Sequence, residues 1–314
     1  MKIGKNSGNF SFRGDSSQKN PVRVGFFDSG MGGLTVLSDC VKLGVRGELY
    51  YYGDNARAPY GNLPPTTVRR YAFEAFKVFE ELKVDAVVVA CNTVTALCID
   101  ELRERYSFPI IGVEPAVMLA AKNCRQVFVL VTRATLESTR FNILCARTRK
   151  KFPDCNILPF ACDHLAGEIE KGLLSKERRG FSEFFPVDKT GRTPDGVVLG
   201  CTHYNFLRSE ISAHYSCPVY DGNAGVAKRL LSVLTLDRPF LTTRFAVRPP
   251  STTFCSPQDV LLLKTEGGEL FQGALTEQEE KNAGVIGGSV TVYFLGSGRK
   301  INKSGYEQMF VNGF

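Results

Sequence analysis

Two stretches of the chain read almost alike: DAVVVACNT at residues 85–93 and DGVVLGCTH at residues 195–203. In each, an aspartate opens a β-branched apolar run, a small residue follows (Ala90 or Gly200), and a cysteine stands six positions after the aspartate. A short continuous apolar run of this kind predicts a strand buried on both faces, as in a parallel sheet. The likeness goes on past the cysteines, with Phe108-Pro109-Ile110 in one copy and Cys217-Pro218-Val219 in the other, so the repeat offset is roughly 110 residues. That is the size of a domain, not of a solenoid unit. A duplicated half-domain therefore presents two equivalent thiols, Cys91 and Cys201. Small cysteines at strand ends also serve as plain core filling, and the surrounding sequence has to separate the two cases.

Upstream of each thiol strand the pattern repeats. Val22 to Phe27 predicts a buried strand running into Asp28-Ser29-Gly30-Met31-Gly32-Gly33, with helical spacing from Leu34 to Leu43. Its counterpart, Gln126 to Val131, ends in Thr132-Arg133-Ala134-Thr135. Strand, glycine-rich turn and helix place free backbone N–H groups where an anion can sit. The glycines run GxGG instead of GxGxxG, which disfavours a nicotinamide cofactor. Glu48 to Tyr52 predicts a second strand, followed by a turn-rich loop, Gly53 to Gly61, that holds Arg57 and Tyr60. Arg57 either pairs with Asp54 or serves the site. Thr66 to Leu82 predicts a helix whose Val68, Tyr71, Ala72, Ala75, Phe76 and Phe79 belong to the core. Further helices are expected at 204–215 and 226–236, and after Asp237 the β-rich segments 241–247 and 285–295 suggest an appended β-containing piece.

A chain of 314 residues with 43% hydrophobic content can bury two domain cores. The net charge of +7 is concentrated at the start, where Lys2, Lys5, Arg13, Lys19 and Arg23 face only Asp15. No aromatic-studded basic helix or zinc-finger spacing accompanies it, so a nucleic-acid partner is disfavoured. No signal-peptide core and no bilayer-length apolar run is present, which predicts no membrane partner. Ten cysteines without an export signal suggest free thiols in a reducing, cytoplasmic compartment. With no CxxC pair and three histidines, no metal site is expected.

Both thiols fall where a strand meets a helix, a position that favours the reactive thiolate. His203 lies two residues after Cys201, and Asp28, at the end of the neighbouring strand, is the natural partner of Cys91. Two thiol–base pairs facing each other suit removal of a proton from one face of a carbon and delivery to the opposite face.

Five motifs in order, Asp28 to Leu37, Gly53 to Gly61, Ala90 to Thr93, Gly112 to Pro115 and Leu199 to Tyr204, together resemble glutamate racemase of the aspartate/glutamate racemase superfamily over about residues 22–237. The resemblance implies a cofactor-independent enzyme with two pseudosymmetric doubly wound α/β domains and the active site between them. It divides the chain into a disordered basic arm (1–21), a first domain (22–114 plus 222–260), a second domain (115–221) and a C-terminal extension (261–314). It implies that Cys91 exchanges the α-proton on the D-glutamate side, assisted by Asp28, and Cys201 on the L-glutamate side, assisted by His203. Ser29, Tyr60, Gly61, Asn92, Thr93, Thr132, Thr135 and Thr202 would bind substrate, with Glu170 an accessory acid on the second-thiol side. The product D-glutamate would serve peptidoglycan synthesis, and a homodimer is expected. The sequence departs from the family pattern at Asp163, Asn205 and Gly222, around the segment that carries Glu170. The alternatives are aspartate racemase or another racemase of the superfamily and, from a different class, a catalytically retired regulatory binding protein.

Overall fold

Each half builds the same parallel sheet. The computed structural model describes residues 21–175, 180–237, 263–264 and 290–296. The first half runs β1 (Arg23–Asp28), α1 (Leu34–Lys42), β2 (Gly47–Gly53), α2 (Pro65–Glu81), β3 (Ala86–Val89), α3 (Asn92–Arg105) and β4 (Ile110–Gly112). The second runs α4 (Val117–Asn123), β5 (Gln126–Val131), α5 (Arg133–Glu137), α6 (Thr139–Lys151), β6 (Asn156–Ala161), α7 (Leu165–Ser175), β7 (Gly196–Gly200), α8 (Arg208–Tyr215) and β8 (Val219–Tyr220). After them come α9 (Asn223–Asp237), β9 (Leu263–Lys264) and β10 (Val290–Gly296). The sheets are ordered β4-β3-β1-β2-β10-β9 and β8-β7-β5-β6. The four strands native to each half therefore follow one order, and every pairing is parallel. The two thiol strands, β3 and β7, occupy equivalent places beside β1 and β5.

The apolar runs work as fully buried strands because successive side chains feed two cores. Val24, Phe26, Leu49, Tyr51, Ala86 and Val88 point toward α1 and α9, where Val226, Ala227 and Leu230 complete that core. Phe27, Tyr50, Val87 and Val89 point the other way, toward α2 and α3. Val127, Val129, Val131 and Val198 share one face of the second sheet, and Phe128, Leu130, Val197 and Leu199 the other. On α2 the expected stripe is buried, with Tyr71 half-buried. Phe76 makes edge contacts with Phe27 and Phe79 at centroid distances of 6.2 and 5.8 Å and stacks on Phe108. Phe76→Ala should therefore lower the unfolding free energy by about 3–5 kcal/mol, read as a reduced urea midpoint at unchanged slope.

One element differs from the sequence expectation. The helix expected at 204–215 begins as a tighter 3₁₀ turn, Thr202–Leu207, and becomes α8 only at Arg208. Tyr204 is wholly buried there, with its hydroxyl on the Cys162 carbonyl at 3.2 Å. The C-terminal β-containing segment joins the first sheet, where Val290–Gly296 runs parallel to β2 from Gly47 to Gly53. The segment 241–247, the arm 1–20 and most of 261–314 lie outside the described residues.

Candidate active site

The candidate side chains sit at the carboxyl ends of the parallel strands, where open α/β sheets place their ligands. Asp28 closes β1, Cys91 is the N-cap of α3, Thr132 is the N-cap of α5, and Cys201 precedes the 3₁₀ turn after β7. The two halves meet strand end to strand end. Met31 N–H donates to Glu170 Oε1 at 2.8 Å, and the Thr202 hydroxyl reaches both Asp28 oxygens at 3.4 Å. Thr93 Oγ1 and Thr132 Oγ1 are 3.0 Å apart, and Thr132 passes its own hydroxyl to Thr135 at 2.9 Å. Gly61 lies against Thr132 so closely that a Cβ on it would come within 2.7 Å of the methyl group. Asp28, Ser29, Tyr60, Gly61, Cys91, Asn92, Thr93, Thr132, Thr135, Glu170, Cys201, Thr202 and His203 are all buried.

The two thiols stand in different company. Cys91 Sγ is 3.6 Å from Ser29 Oγ. Burial and the neighbouring Asp28 charge push its pKa up, outweighing the Val94 N–H at the helix end. Desolvation in this buried pocket outweighs the helix N-terminus that alone would favour a thiolate, so the Cys91 thiol is pushed up instead of down. Asp28 is also raised by burial, against the opposing pull of His203 and the Gly33 N–H. Its oxygens are engaged by Gly33 N–H at 2.8 Å and by the Thr202 hydroxyl of the opposite half, while its charge acts on Cys91.

Cys201 Sγ lies 3.7 Å from His203 Nδ1, and His203 Nε2 lies 2.6 Å from Glu170 Oε1. Burial works against a charged imidazole, but the Glu170 carboxylate and the bond to Cys201 outweigh it and hold the His203 pKa well above the ordinary value. Since the unfolded value is about 6.5, this stabilisation is complete below that pH and is lost as pH rises through the folded value. Each pH unit crossed inside that window removes at most about 1.4 kcal/mol. The melting temperature should thus fall between pH 7 and 10 more steeply in the native chain than in His203→Asn, as scanning calorimetry would show.

Four further placements refine the sequence expectations. The anion held by the turn after β1 is the chain's own, since Gly33 N–H takes Asp28 and Met31 N–H takes Glu170. Arg57 pairs with Asp54 at 2.6 Å and with Glu74 at 2.6 Å, and it lies over the Tyr71 ring, which makes it a support for the loop. Tyr60 donates its hydroxyl to Asp54, so its phenolic proton is already engaged within the loop. Glu170 is in the site despite the departure at Asp163, whose carboxylate grips Arg133 and whose carbonyl accepts Asn62 Nδ2 at 2.6 Å. The nine described cysteines are all unpaired and buried. Cys40, Cys98, Cys124, Cys145, Cys155, Cys162 and Cys217 pack in the cores; Cys255 lies outside the described residues. Among the described residues no cluster of metal-ligating side chains occurs, and no helix is long and apolar enough to cross a membrane. Two residues have roles that sequence reasoning missed: Asp54, which takes the Tyr60 hydroxyl as well as Arg57, and Tyr51, whose hydroxyl meets the Gly30 carbonyl at 2.6 Å; the signal was there, since a buried tyrosine hydroxyl needs a partner.

Duplicated α/β halves that close strand end to strand end around one thiol each define an isomerase of the racemase class. The Asp/Glu/hydantoin racemase profile matches residues 44–230. A glutamate racemase of Clostridium kluyveri is 36% identical over 214 residues, covering 66% of this chain and 82% of that protein. Glutamate racemase 2 of Bacillus subtilis is 32% identical over 221 residues, covering 68% and 82%. Among solved structures, the Escherichia coli glutamate racemase in complex with L-glutamate and the activator UDP-MurNAc-ala is 25% identical, with a TM-score of 0.63 over 88% of this chain and 98% of that one. The chain belongs to the Asp/Glu/hydantoin racemase family.

Proposed function

We propose that the chain is a glutamate racemase, interconverting L- and D-glutamate by proton transfer between Cys201 and Cys91. The observation that carries this is the placement of two thiols at equivalent strand ends of opposed halves, joined through Asp28, Thr202 and His203 in one buried site. From L-glutamate, the Cys201 sulfur takes the α-proton on one face and the Cys91 thiol delivers its own proton on the other; from D-glutamate the roles reverse. A protonated Cys91 is the form the first direction requires. His203 shares a hydrogen bond with Cys201 and, held by Glu170, supplies a cation that steadies the Cys201 thiolate, the form that takes the α-proton from L-glutamate and that remains after Cys201 gives its proton in the reverse direction. Asp28, held by Gly33 N–H and Thr202, assists Cys91 as the acceptor of its proton when Cys91 has to act as the base on D-glutamate. Ser29, Gly61, Thr93, Thr132, Thr135, Thr202 and the Tyr60 backbone surround the amino and carboxylate groups. The enzyme would supply D-glutamate for peptidoglycan from the cytoplasm, as a homodimer whose first domain spans 22–114 and 222–260. The test is a circular-dichroism assay of both glutamate enantiomers and of aspartate, with no pyridoxal phosphate or metal added. Faster turnover of aspartate would transfer the reading to the sister specificity, and no turnover of either would end it.

Asn92 offers a separate check. Its Nδ2 is buried with no hydrogen-bond partner among the described residues, and an unpaired buried donor costs about 1–3 kcal/mol. A substrate carboxylate would satisfy it. Asn92→Ala should raise KM for glutamate by roughly 10- to 100-fold, while kcat changes little and the melting temperature holds or rises.

A further inference from the structure

The peptide between Gly30 and Met31 is held at both of its polar ends. Its carbonyl accepts the Tyr51 hydroxyl at 2.6 Å, and its N–H donates to Glu170 Oε1 at 2.8 Å. That same oxygen lies 2.6 Å from His203 Nε2, and His203 Nδ1 lies 3.7 Å from Cys201 Sγ. Tyr51 is wholly buried on β2, with its hydroxyl on the Gly30 carbonyl at the turn after β1. We propose that Tyr51 is a positioning residue for the Cys201 half of the reaction: by fixing the Gly30–Met31 peptide, it holds the Glu170 carboxylate that aims His203 at Cys201. The proposal rests on the glutamate racemase reading above.

Three physical points carry it. A buried phenol must find an acceptor, and of the three successive tyrosines only Tyr51 is on the face that underlies the turn; Tyr50 gives its hydroxyl to Glu48 at 2.8 Å. A hydrogen bond accepted at a peptide carbonyl polarises that peptide and strengthens its N–H as a donor, here toward a carboxylate, where the bond is charge-assisted. Gly30 has no Cβ to restrict the peptide, so without the phenol little would keep the plane from turning. A Cβ there would sit 1.9 Å from Glu170 Oε1, which shows how closely the carboxylate has been drawn onto this peptide. The charged and titratable groups that face His203 are Glu170 from α7, Asp28 from β1 and Cys201 from its own turn.

Tyr51→Phe tests the idea, with Tyr50→Phe as the control that removes a hydroxyl from the same strand. Tyr51→Phe should lower kcat by roughly tenfold while KM moves by less than about threefold. The primary isotope effect with α-deuterated L-glutamate should rise and that with α-deuterated D-glutamate should fall, because the step at Cys201 becomes the slower one. The chain has three histidines, so the His203 imidazole can be assigned by NMR through His203→Asn. Its titration should move down toward the ordinary histidine value in Tyr51→Phe and stay in place in Tyr50→Phe. Unchanged kcat, or a loss of kcat with isotope effects and His203 titration both unmoved, would overturn the proposal. If the native chain does not racemise glutamate, the parent reading falls, and the His203 titration alone still decides whether Tyr51 positions the pair.

Discussion

Cys91→Ala and Cys201→Ala should each lose racemisation by about 10³-fold or more, and the double variant should lose little beyond either single one. The size follows from removing a positioned acid or base, which contributes about 10²–10⁴-fold; the lack of additivity follows because the two thiols serve one inversion, and neither half completes it alone. Solvent exchange separates this from simple damage. In deuterated water, Cys201→Ala keeps Cys91 and can still take the α-proton of D-glutamate and return a deuteron to the same face. It should label D-glutamate without making L-glutamate. Cys91→Ala should do the reverse. The measurement is mass spectrometry of each enantiomer after chiral separation. Near-native two-way racemisation in either variant would exclude the two-thiol route, as would label entering both enantiomers equally.

Much of this plan could be read from residues alone, and the reason is that strands and their ends are local features. Two apolar runs of matching composition marked β3 and β7, and the residues just past them, Cys91 and Cys201, had to lie at the carboxyl ends of those strands once the sheets were parallel. What could not be read was the electrostatic balance. The end of α3 offers a favourable place for a thiolate, yet the Cys91 pKa is raised, because burial and the Asp28 charge belong to the assembled pocket and not to the local chain. The Glu170 contact was equally hidden. It joins residues 139 positions apart, and no spacing rule reaches that far. The turn after β1 reads as an anion site; which anion it takes depends on the opposite half of the molecule. Tyr51 illustrates a third limit: β-strand alternation assigns it to a face, but only the fold shows that this face lies beneath the catalytic turn.

Gly30→Ala is the variant in which fold and chemistry should separate most clearly. An added Cβ would sit 1.9 Å from Glu170 Oε1 and 3.0 Å from His203 Nε2, so one of the two must move. The first obstacle is the far end of a flexible side chain, and Gly30 does not have a positive φ; the backbone can accept alanine once the carboxylate swings away. The cost to stability is then that of the lost Glu170 contacts with Met31 N–H and His203, and it should be smaller than in a variant that also forces the backbone to move. The cost to catalysis should be large. Glu170 would leave both Met31 N–H and His203 Nε2, the charge that holds the His203 pKa up would withdraw, and Cys201 would lose an aimed partner. A misplacement of about 1 Å at such a centre costs on the order of 10²-fold in kcat. Gly32→Ala provides the contrast, since its Cβ would come within 2.7 Å of the His203 backbone nitrogen, which cannot swing aside. That variant should lose stability as well as activity. Melting curves measured beside kcat for the two variants distinguish these outcomes. A fully active Gly30→Ala would mean that the Glu170 contact with the turn is dispensable, and with it the route from the turn to Cys201.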